Sequence, residues 1–127
     1  MAEALAVLGA DFAPLVFGPG SLAEVAVRIA STVPGEQPML GRIDRLVVTP
    51  TPLLVVDFKS DADPPATPEA VPAPYLAQLA AYRRAVGEIW SGRRVEAALL
   101  WTAGPTLMPL RTAKLDAAFD AGADEAP

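Results

Sequence analysis

Residues 41–60, GRIDRLVVTPTPLLVVDFKS, contain two short apolar runs separated by a proline-rich turn. The first run is Ile43 with residues 46–48, and the second is residues 53–56. Both runs are rich in β-branched side chains, which is typical of strands. Residues 49–52, TPTP, cannot continue a ladder of hydrogen bonds and predict a turn. The segment is therefore predicted to form a β-hairpin.

Three of the charged residues on this hairpin are candidates for chemistry. Asp44 lies in the first strand, whereas Asp57 and Lys59 end the second strand and point to the same face. Such groups are costly to bury unpaired, and Mg²⁺ accepts one or two carboxylates as hard oxygen ligands. With the neighbouring ammonium, the set favours metal-assisted phosphodiester hydrolysis. An equally supported alternative is that these residues form ordinary surface ion pairs, because D-x-K is a short pattern.

The composition limits the chemistry that the chain can perform. Its length of 127 residues predicts a single domain over residues 1–127. The chain has no cysteine, which excludes disulfides, thiolate metal sites and cysteine nucleophiles. It also has no histidine, the commonest general base and transition-metal ligand. Any catalysis must therefore use carboxylates, lysine, tyrosine or a hard metal.

The net charge of −5 argues against a freestanding nucleic-acid binder, since such proteins usually show a basic surface. A DNA substrate fits this charge better if another domain supplies most of the DNA affinity. No apolar run approaches the ~20 residues of a membrane-spanning helix, and the N-terminus lacks the basic region of a signal peptide. The expected location is the cytoplasm, with no membrane partner.

The first half of the chain predicts a helix with a break over residues 2–17, followed by an alternating strand over residues 22–29. Glu24 lies at the start of that strand, and its simplest interpretation is a solvated glutamate. With the hairpin strands, residues 40–49 and 53–59, this strand predicts an antiparallel meander.

The second half begins with a proline-rich loop over residues 61–74, which is predicted to have no regular structure. A helix follows over residues 75–90, and its spacing places Tyr75, Gln78 and Tyr82 on one face. The tyrosines would then contact the rim of the core.

The last elements complete an α/β fold. The apolar run at residues 95–101 predicts a strand covered on both faces, which pairs parallel to an earlier strand. An edge strand at 107–110, a short helix at 112–119 and a disordered tail at 121–127 follow. We therefore expect a central mixed sheet of about four to five strands, an antiparallel meander followed by a helix and a parallel strand, flanked by helices.

The ordered set of residues resembles the PD-(D/E)XK nuclease superfamily. The set consists of Glu24, residues 41–45 (GRIDR), residues 56–59 (VDFK), Gln78 and Tyr82. D-x-K alone is a weak signal, whereas the ordered set that ends in Gln-x-x-x-Tyr is specific. The resemblance implies a restriction-endonuclease-like core.

Within that superfamily, the chain looks most like the C-terminal nuclease domain of AddA, the helicase–nuclease subunit of the AddAB complex, and more distantly like that of RecB. The similarity extends from Phe12 to about Phe119. It implies a Mg²⁺-dependent deoxyribonuclease domain that hydrolyses DNA, as single strands, in recombinational double-strand-break repair. The implied partners are DNA, the helicase portion of the same polypeptide and an AddB-like subunit.

The resemblance also implies a role for each residue. Asp44 and Asp57 would bind Mg²⁺, for which Mn²⁺ can substitute, with help from the backbone carbonyl of Phe58. Lys59 would orient or activate the attacking water and stabilise the developing charge. Glu24 would be a further acidic residue of the site, as a metal ligand or a water contact.

The facing helix would contribute Gln78 and Tyr82, which position either the DNA strand or the lysine. One departure stands out, because RecB-like members usually carry a histidine on an upstream helix and this chain has none. We therefore expect a fragment that begins after those helices. It has no Walker-type loop and thus no helicase of its own. The rival hypothesis is a catalytically weak or inactive module that keeps the nuclease fold and contacts DNA or a partner subunit.

Overall fold

In a computed structural model of the chain, residues 16–18, 20–29, 35, 37, 39–48 and 52–125 are described, with side chains up to residue 119. The strands and longer helices of this part follow each other as β1 (Ser21–Ile29), β2 (Met39–Val47), β3 (Leu53–Lys59), α1 (Ala73–Ile89), β4 (Val95–Trp101), β5 (Thr106–Leu110) and α2 (Thr112–Glu125). Each predicted strand is present within two residues of its expected bounds.

The strands form one five-stranded sheet in the order β1-β2-β3-β4-β5. β1, β2 and β3 make an antiparallel meander, and β3 pairs parallel to β4 after the chain has crossed through α1. β5 returns antiparallel on the far side of β4. The predicted mixed sheet, a meander followed by a helix and a parallel strand, is confirmed.

Helix α1 begins two residues earlier than the sequence predicts, at Ala73. Pro74 lies in its first turn, where proline is tolerated because the first N–H groups of a helix have no intrahelical partner. The helix ends at Ile89, and Gly92 takes a positive φ of 89° in the turn that follows. The clearest helical pattern of the sequence is thus confirmed with a small shift of its start.

The apolar core lies on both faces of the sheet. Strand β4 shows this best, because Leu99 packs in the large cluster that faces α1 while Leu100 packs with Val16 and Val56 on the opposite face. All four of these side chains are fully buried. The predicted strand with both faces covered is therefore β4.

Three segments differ from the sequence interpretation or lie outside the described part. Helix α2 runs to Glu125, so the backbone of residues 121–125 is helical where the sequence predicts disorder. Alanines favour a helix there, and the single Gly122 costs only about 1 kcal/mol. In the proline-rich loop, Pro68–Ala70 form a short 3-10 turn. The helix predicted over residues 2–17 lies outside the described residues, apart from the last two.

Among the described residues, no helix combines the length and the apolar character that crossing a membrane would require.

Candidate functional site

Asp57 and Lys59 lie at the carboxyl end of β3, where it runs parallel to β4. The alternation of a strand places both side chains on the face that α1 covers. Phe58 points to the opposite face, where its ring lies 6.0 Å from that of Phe17. The packing of Phe58 on one face of β3 therefore fixes the strand that presents Asp57 and Lys59 on the other face.

Asp44 reaches the same place from β2. The last pair of the β2–β3 ladder is Arg45 with Val56. Asp44, the neighbour of Arg45 in β2, lies just outside the ladder. The Oδ2 atom of Asp44 accepts a hydrogen bond of 2.7 Å from the backbone N–H of Phe58. The side chain thus takes the place of the next ladder bond, which fixes its carboxylate beside Asp57.

The side chains of β2 stop alternating regularly between the two faces of the sheet at Asp44. Ile43 and Leu46 are three residues apart, yet both pack in the cluster that faces α1. Between them, Arg45 lies on the other face, with its guanidinium 4.9 Å from the centre of the Phe17 ring. Opposite Asp44, residue Glu24 takes a positive φ of 53°, and the β1–β2 ladder skips this pair. The irregularity turns the Asp44 carboxylate towards β3.

Asp57 is the most unusual group of the site, because it is a carboxyl with only 5% of its surface exposed. Burial raises the pKa of Asp57 to about 6, the nearby Lys59 ammonium opposes that rise, and the Asp44 carboxyl adds to it. Within the described part of the chain, Oδ2 of Asp57 accepts no well-formed hydrogen bond, although the Lys59 Nζ lies 2.9 Å away. This oxygen is therefore paired with an ammonium but not through an aligned hydrogen bond.

Lys59 is held by groups from two elements. Its Nζ donates a 2.9 Å hydrogen bond to Oε1 of Gln78 on α1, in addition to its contact with Asp57. The Nε2 of Gln78 in turn donates to the Tyr82 hydroxyl at 3.3 Å. The side chain of Lys59 is only 16% exposed. The structure thus brings together five of the predicted site residues: Asp44, Asp57, Lys59, Gln78 and Tyr82.

Glu24 is not part of this network. Its side chain is 73% exposed, and its carboxylate oxygen lies 3.9 Å from Arg42, a weak surface pair. The register nevertheless places Glu24 across from Asp44 on the neighbouring strand. Its role at the site stays a prediction.

The structure adds two residues that the sequence analysis did not assign to the site. The Lys59 ammonium lies 4.2 Å from the centre of the Tyr75 ring, a cation–π contact. The Tyr75 hydroxyl donates to both carboxylate oxygens of Asp61, at 3.0 and 3.1 Å, which raises the pKa of Tyr75. Asp61 lies in the proline-rich loop, which no sequence pattern connects to the helix. Tyr75, which is hydrogen-bonded to Asp61, therefore packs against the Lys59 ammonium.

Replacing Tyr75 tests whether its ring positions Lys59. If the site cleaves DNA, as the sequence resemblance implies, Tyr75→Leu should lower the single-turnover rate of cleavage about tenfold, because a partly desolvated cation–π contact contributes about 1–2 kcal/mol. Tyr75→Phe keeps the ring and should lose much less, and neither change should weaken DNA binding. Equal rates for the leucine variant and the parent would show that the ring does not position Lys59.

Gly41 allows Tyr82 to pack directly against the backbone of β2. A Cβ built on Gly41 would lie 2.7 Å from the Tyr82 ring, which is too close, and 3.0 Å from the terminal methyl of Ile29, which would have to shift slightly. Tyr82 is only 7% exposed and cannot move freely away. The glycine therefore fixes the position of the tyrosine that contacts Gln78.

We expect Gly41→Ala to destabilise the domain by about 1–3 kcal/mol, the usual cost of overpacking. If the site cleaves DNA, as the sequence resemblance implies, the change should also lower the cleavage rate, because Tyr82 and Gln78 must shift. Urea unfolding and a cleavage assay below the transition measure the two effects. Gly87→Ala is the matched control, since a Cβ at Gly87 meets no atom within 4 Å. If both variants behave alike, the close contact at Gly41 has no consequence.

The residues present fit a hard divalent cation. Two carboxylates lie side by side, and the buried Oδ2 of Asp57 has the Lys59 ammonium beside it without an aligned hydrogen bond. In the described ranges, no group of three or more acidic, histidine or cysteine side chains converges on one point. Mg²⁺ requires only one or two carboxylates and retains several waters. Asp44 and Asp57 would thus be sufficient as carboxylate ligands, and the Phe58 carbonyl lies between Asp57 and Lys59 in the chain.

Comparison with known proteins identifies the family. The model of the PD-(D/E)XK nuclease superfamily matches residues 10–121. The chain belongs to the PD-(D/E)XK nuclease superfamily. Members of this superfamily are in general metal-dependent nucleases, and the mixed five-stranded sheet with its flanking helices agrees with their restriction-endonuclease-like fold.

Other comparisons add little to the family assignment. No curated protein matches the chain. Among solved structures, the crystal structure of SSO0001 aligns with 94% of this chain at 17% sequence identity and a TM-score of 0.46. The chain spans about half of the length of that structure, 54%. Membership of the PD-(D/E)XK superfamily therefore rests on the match over residues 10–121.

Proposed function

We propose that this PD-(D/E)XK member is a Mg²⁺-dependent deoxyribonuclease domain that hydrolyses DNA phosphodiester bonds. One observation carries the proposal: the buried Asp57 carboxylate has Asp44 on one side and the Lys59 ammonium, at 2.9 Å, on the other. A carboxylate pair beside a fixed ammonium is costly to bury and gives the fold no evident benefit. It is the arrangement that metal-assisted phosphoryl transfer requires.

Asp44, Asp57 and the Phe58 carbonyl would hold the cation, and Mn²⁺ can replace Mg²⁺ there. A cation held there would supply Lewis-acid polarisation of the scissile phosphate and would make a water more acidic. Asp44 is held for this task by its hydrogen bond from the Phe58 N–H. Glu24 is the further acidic residue that would approach from β1, as a ligand or through a water.

Lys59 positions the attacking water and stabilises charge that develops on the phosphate. Its ammonium is restrained by Asp57, Gln78 and the Tyr75 ring, so little freedom is lost when the substrate binds. Gln78 and Tyr82 keep the lysine in place, and Gln78 is exposed enough to contact a DNA strand as well.

The substrate and the biological setting rest on the sequence resemblance to AddA. We propose that the domain cuts single-stranded DNA within an AddAB-type helicase–nuclease that acts in double-strand-break repair. The net charge of −5 supports such an arrangement, because the helicase portion and an AddB-like subunit would then supply most of the DNA affinity.

The substrate preference is tested with end-labelled strands of one sequence, offered as single-stranded DNA, duplex DNA and RNA in the presence of Mg²⁺. We expect single-stranded DNA to be cut fastest and RNA to remain intact. Preferential cutting of RNA or of duplex DNA would refute this substrate assignment while leaving the nuclease assignment standing.

A catalytically inactive module that contacts DNA or a subunit is the alternative. It is favoured by one observation, that Glu24 contacts Arg42 rather than the two aspartates. Cation binding without turnover on any of these strands, by a protein shown to be folded by circular dichroism, would establish it. Cutting that is retained in Glu24→Gln would show that two carboxylates are sufficient.

A further inference from the structure

A second polar region lies far from the proposed catalytic residues. It is a groove of about 610 Å³ between the second half of α1, helix α2 and the turn that precedes β4, and four arginines line it. The groove opens at the start of the seven-residue β4, whereas Asp57 and Lys59 lie at the other end of the parallel strands. A strand of that length separates Lys59 from the Val95 end of the groove by roughly 20 Å.

Two of the arginines hold the walls of the groove together. Arg83 donates from Nε to the Val95 carbonyl at 2.8 Å and pairs with Asp116 of α2 at 2.7 Å. Arg93 donates to the Val48 carbonyl at 2.9 Å. These bonds connect α1, α2 and the sheet, so the groove is formed before any ligand arrives.

The other two arginines are directed to solvent at the rim. The Arg84 side chain is 63% exposed and Arg94 is 68% exposed. Arg84 lies 3.7 Å from Glu88 with its guanidinium 5.0 Å above the Phe119 ring, and Arg94 lies 3.4 Å from Glu96. Exposed pairs of this kind contribute little, and a guanidinium carries five N–H donors. Both side chains are thus oriented yet retain donors for a ligand.

The local charge of the groove opposes that of the chain. Four arginines against Glu88, Asp116 and Glu96, the partner of Arg94, give the groove and its rim a net charge of +1, whereas the chain carries −5. Four of the ten basic residues are therefore gathered here. This local balance is more favourable to an anion than the acidic balance of the whole chain.

We propose that this groove is a second binding site, which takes a phosphate monoester of nucleotide size. Arginine matches phosphate because its planar fork donates two parallel hydrogen bonds, and the volume is in the range of small-ligand sites. The partly buried ring of Phe119 adds apolar surface to the lining. A free mononucleotide and the terminal phosphate of a DNA strand present the same chemistry.

Calorimetric titration in EDTA and low salt tests the site without any cleavage. The probes are deoxyadenosine monophosphate and one short DNA strand, with and without a terminal phosphate. The parent protein should bind at least one phosphate probe with a Kd below about 1 mM. The double variant Arg84→Gln/Arg94→Gln should bind at least about tenfold more weakly, as expected for lost charge-assisted hydrogen bonds. Arg28→Gln, an exposed arginine of β1, is the matched control and should bind like the parent.

Each outcome has a definite meaning. Mononucleotide binding that the double variant loses supports the proposal with a free nucleotide as ligand. Tighter binding of the phosphorylated than of the unphosphorylated strand, lost in the same way, supports it with a DNA end as ligand. No binding of either phosphate, equal binding by the double variant, or tighter binding of an oligoglutamate peptide would overturn it. Since EDTA prevents turnover, none of these results depends on whether the domain is a nuclease.

Discussion

Asp57→Asn is expected to lower the rate of DNA cleavage by about a thousandfold or more. The change removes one of two negative charges that would hold the cation, and metal stabilisation of the transition state amounts to several kcal/mol. Asparagine has nearly the same size and fits the same buried place at the end of β3. The loss is therefore not a consequence of unfolding.

The same substitution should stabilise the cation-free fold. The pKa of Asp57 is raised from 3.8 to about 6, so folding favours its protonated form. That contribution to the free energy of unfolding is fully present below about pH 4 and is lost as the pH rises through about 6. Asparagine remains neutral throughout, so at pH 8 the variant should be more stable by up to about 3 kcal/mol.

Thermal unfolding in EDTA at pH 4 and at pH 8 measures this difference. We expect a higher Tm for Asp57→Asn at pH 8 and nearly equal values at pH 4. Adding Mg²⁺ at pH 8 should then raise the Tm of the parent and leave that of the variant unchanged. A parent that is the more stable protein at pH 8 without metal would contradict the buried, unfavourable carboxylate described here.

Lys59→Ala is expected to slow cleavage about 100- to 10,000-fold, the usual contribution of a positioned acid–base group. The ammonium is the nearest cation to the Asp57 carboxylate and is already oriented by Gln78 and Tyr75. Its loss affects the transition state more than the bound strand. We therefore expect the effect in kcat and little change in DNA affinity.

The chain offers a matched control for this experiment, because Lys114 is its only other lysine. Lys114 lies on α2, far along the chain from β3, and Lys114→Ala removes the same charge and side chain. Single-turnover rates and fluorescence anisotropy of a labelled strand separate cleavage from binding. Equal rates for both lysine variants would remove Lys59 from the mechanism.

The fold could be predicted from the sequence because its elements are local patterns. The two apolar runs around the TPTP turn became β2 and β3, and the run at residues 95–101 became β4. The helix between them displays Tyr75, Gln78 and Tyr82 on the face that meets Lys59, as their spacing predicts. Periodicity was sufficient for these features since one face of each element is buried.

The site could be predicted only in part, because its details depend on contacts between distant segments. The hydrogen bond from the Phe58 N–H to Asp44 requires β2 to leave the ladder at Asp44. The spacing of apolar residues in the sequence does not predict such an irregularity. Likewise, the contact between Tyr75 and Asp61 joins a helix to an irregular loop. The positive φ of Glu24 could not be predicted from the sequence either, since glutamate rarely adopts a positive φ.

The most direct test of the central claim is cleavage of labelled single-stranded DNA with Mg²⁺, with Mn²⁺ and with EDTA, by the parent and by Asp44→Asn. If Asp44 and Asp57 form the cation site of a nuclease, the parent cuts with either metal and not with EDTA. The variant, with its fold verified by circular dichroism, then loses at least about a hundredfold in rate. Cutting in EDTA, or an Asp44→Asn variant as fast as the parent, would contradict the account.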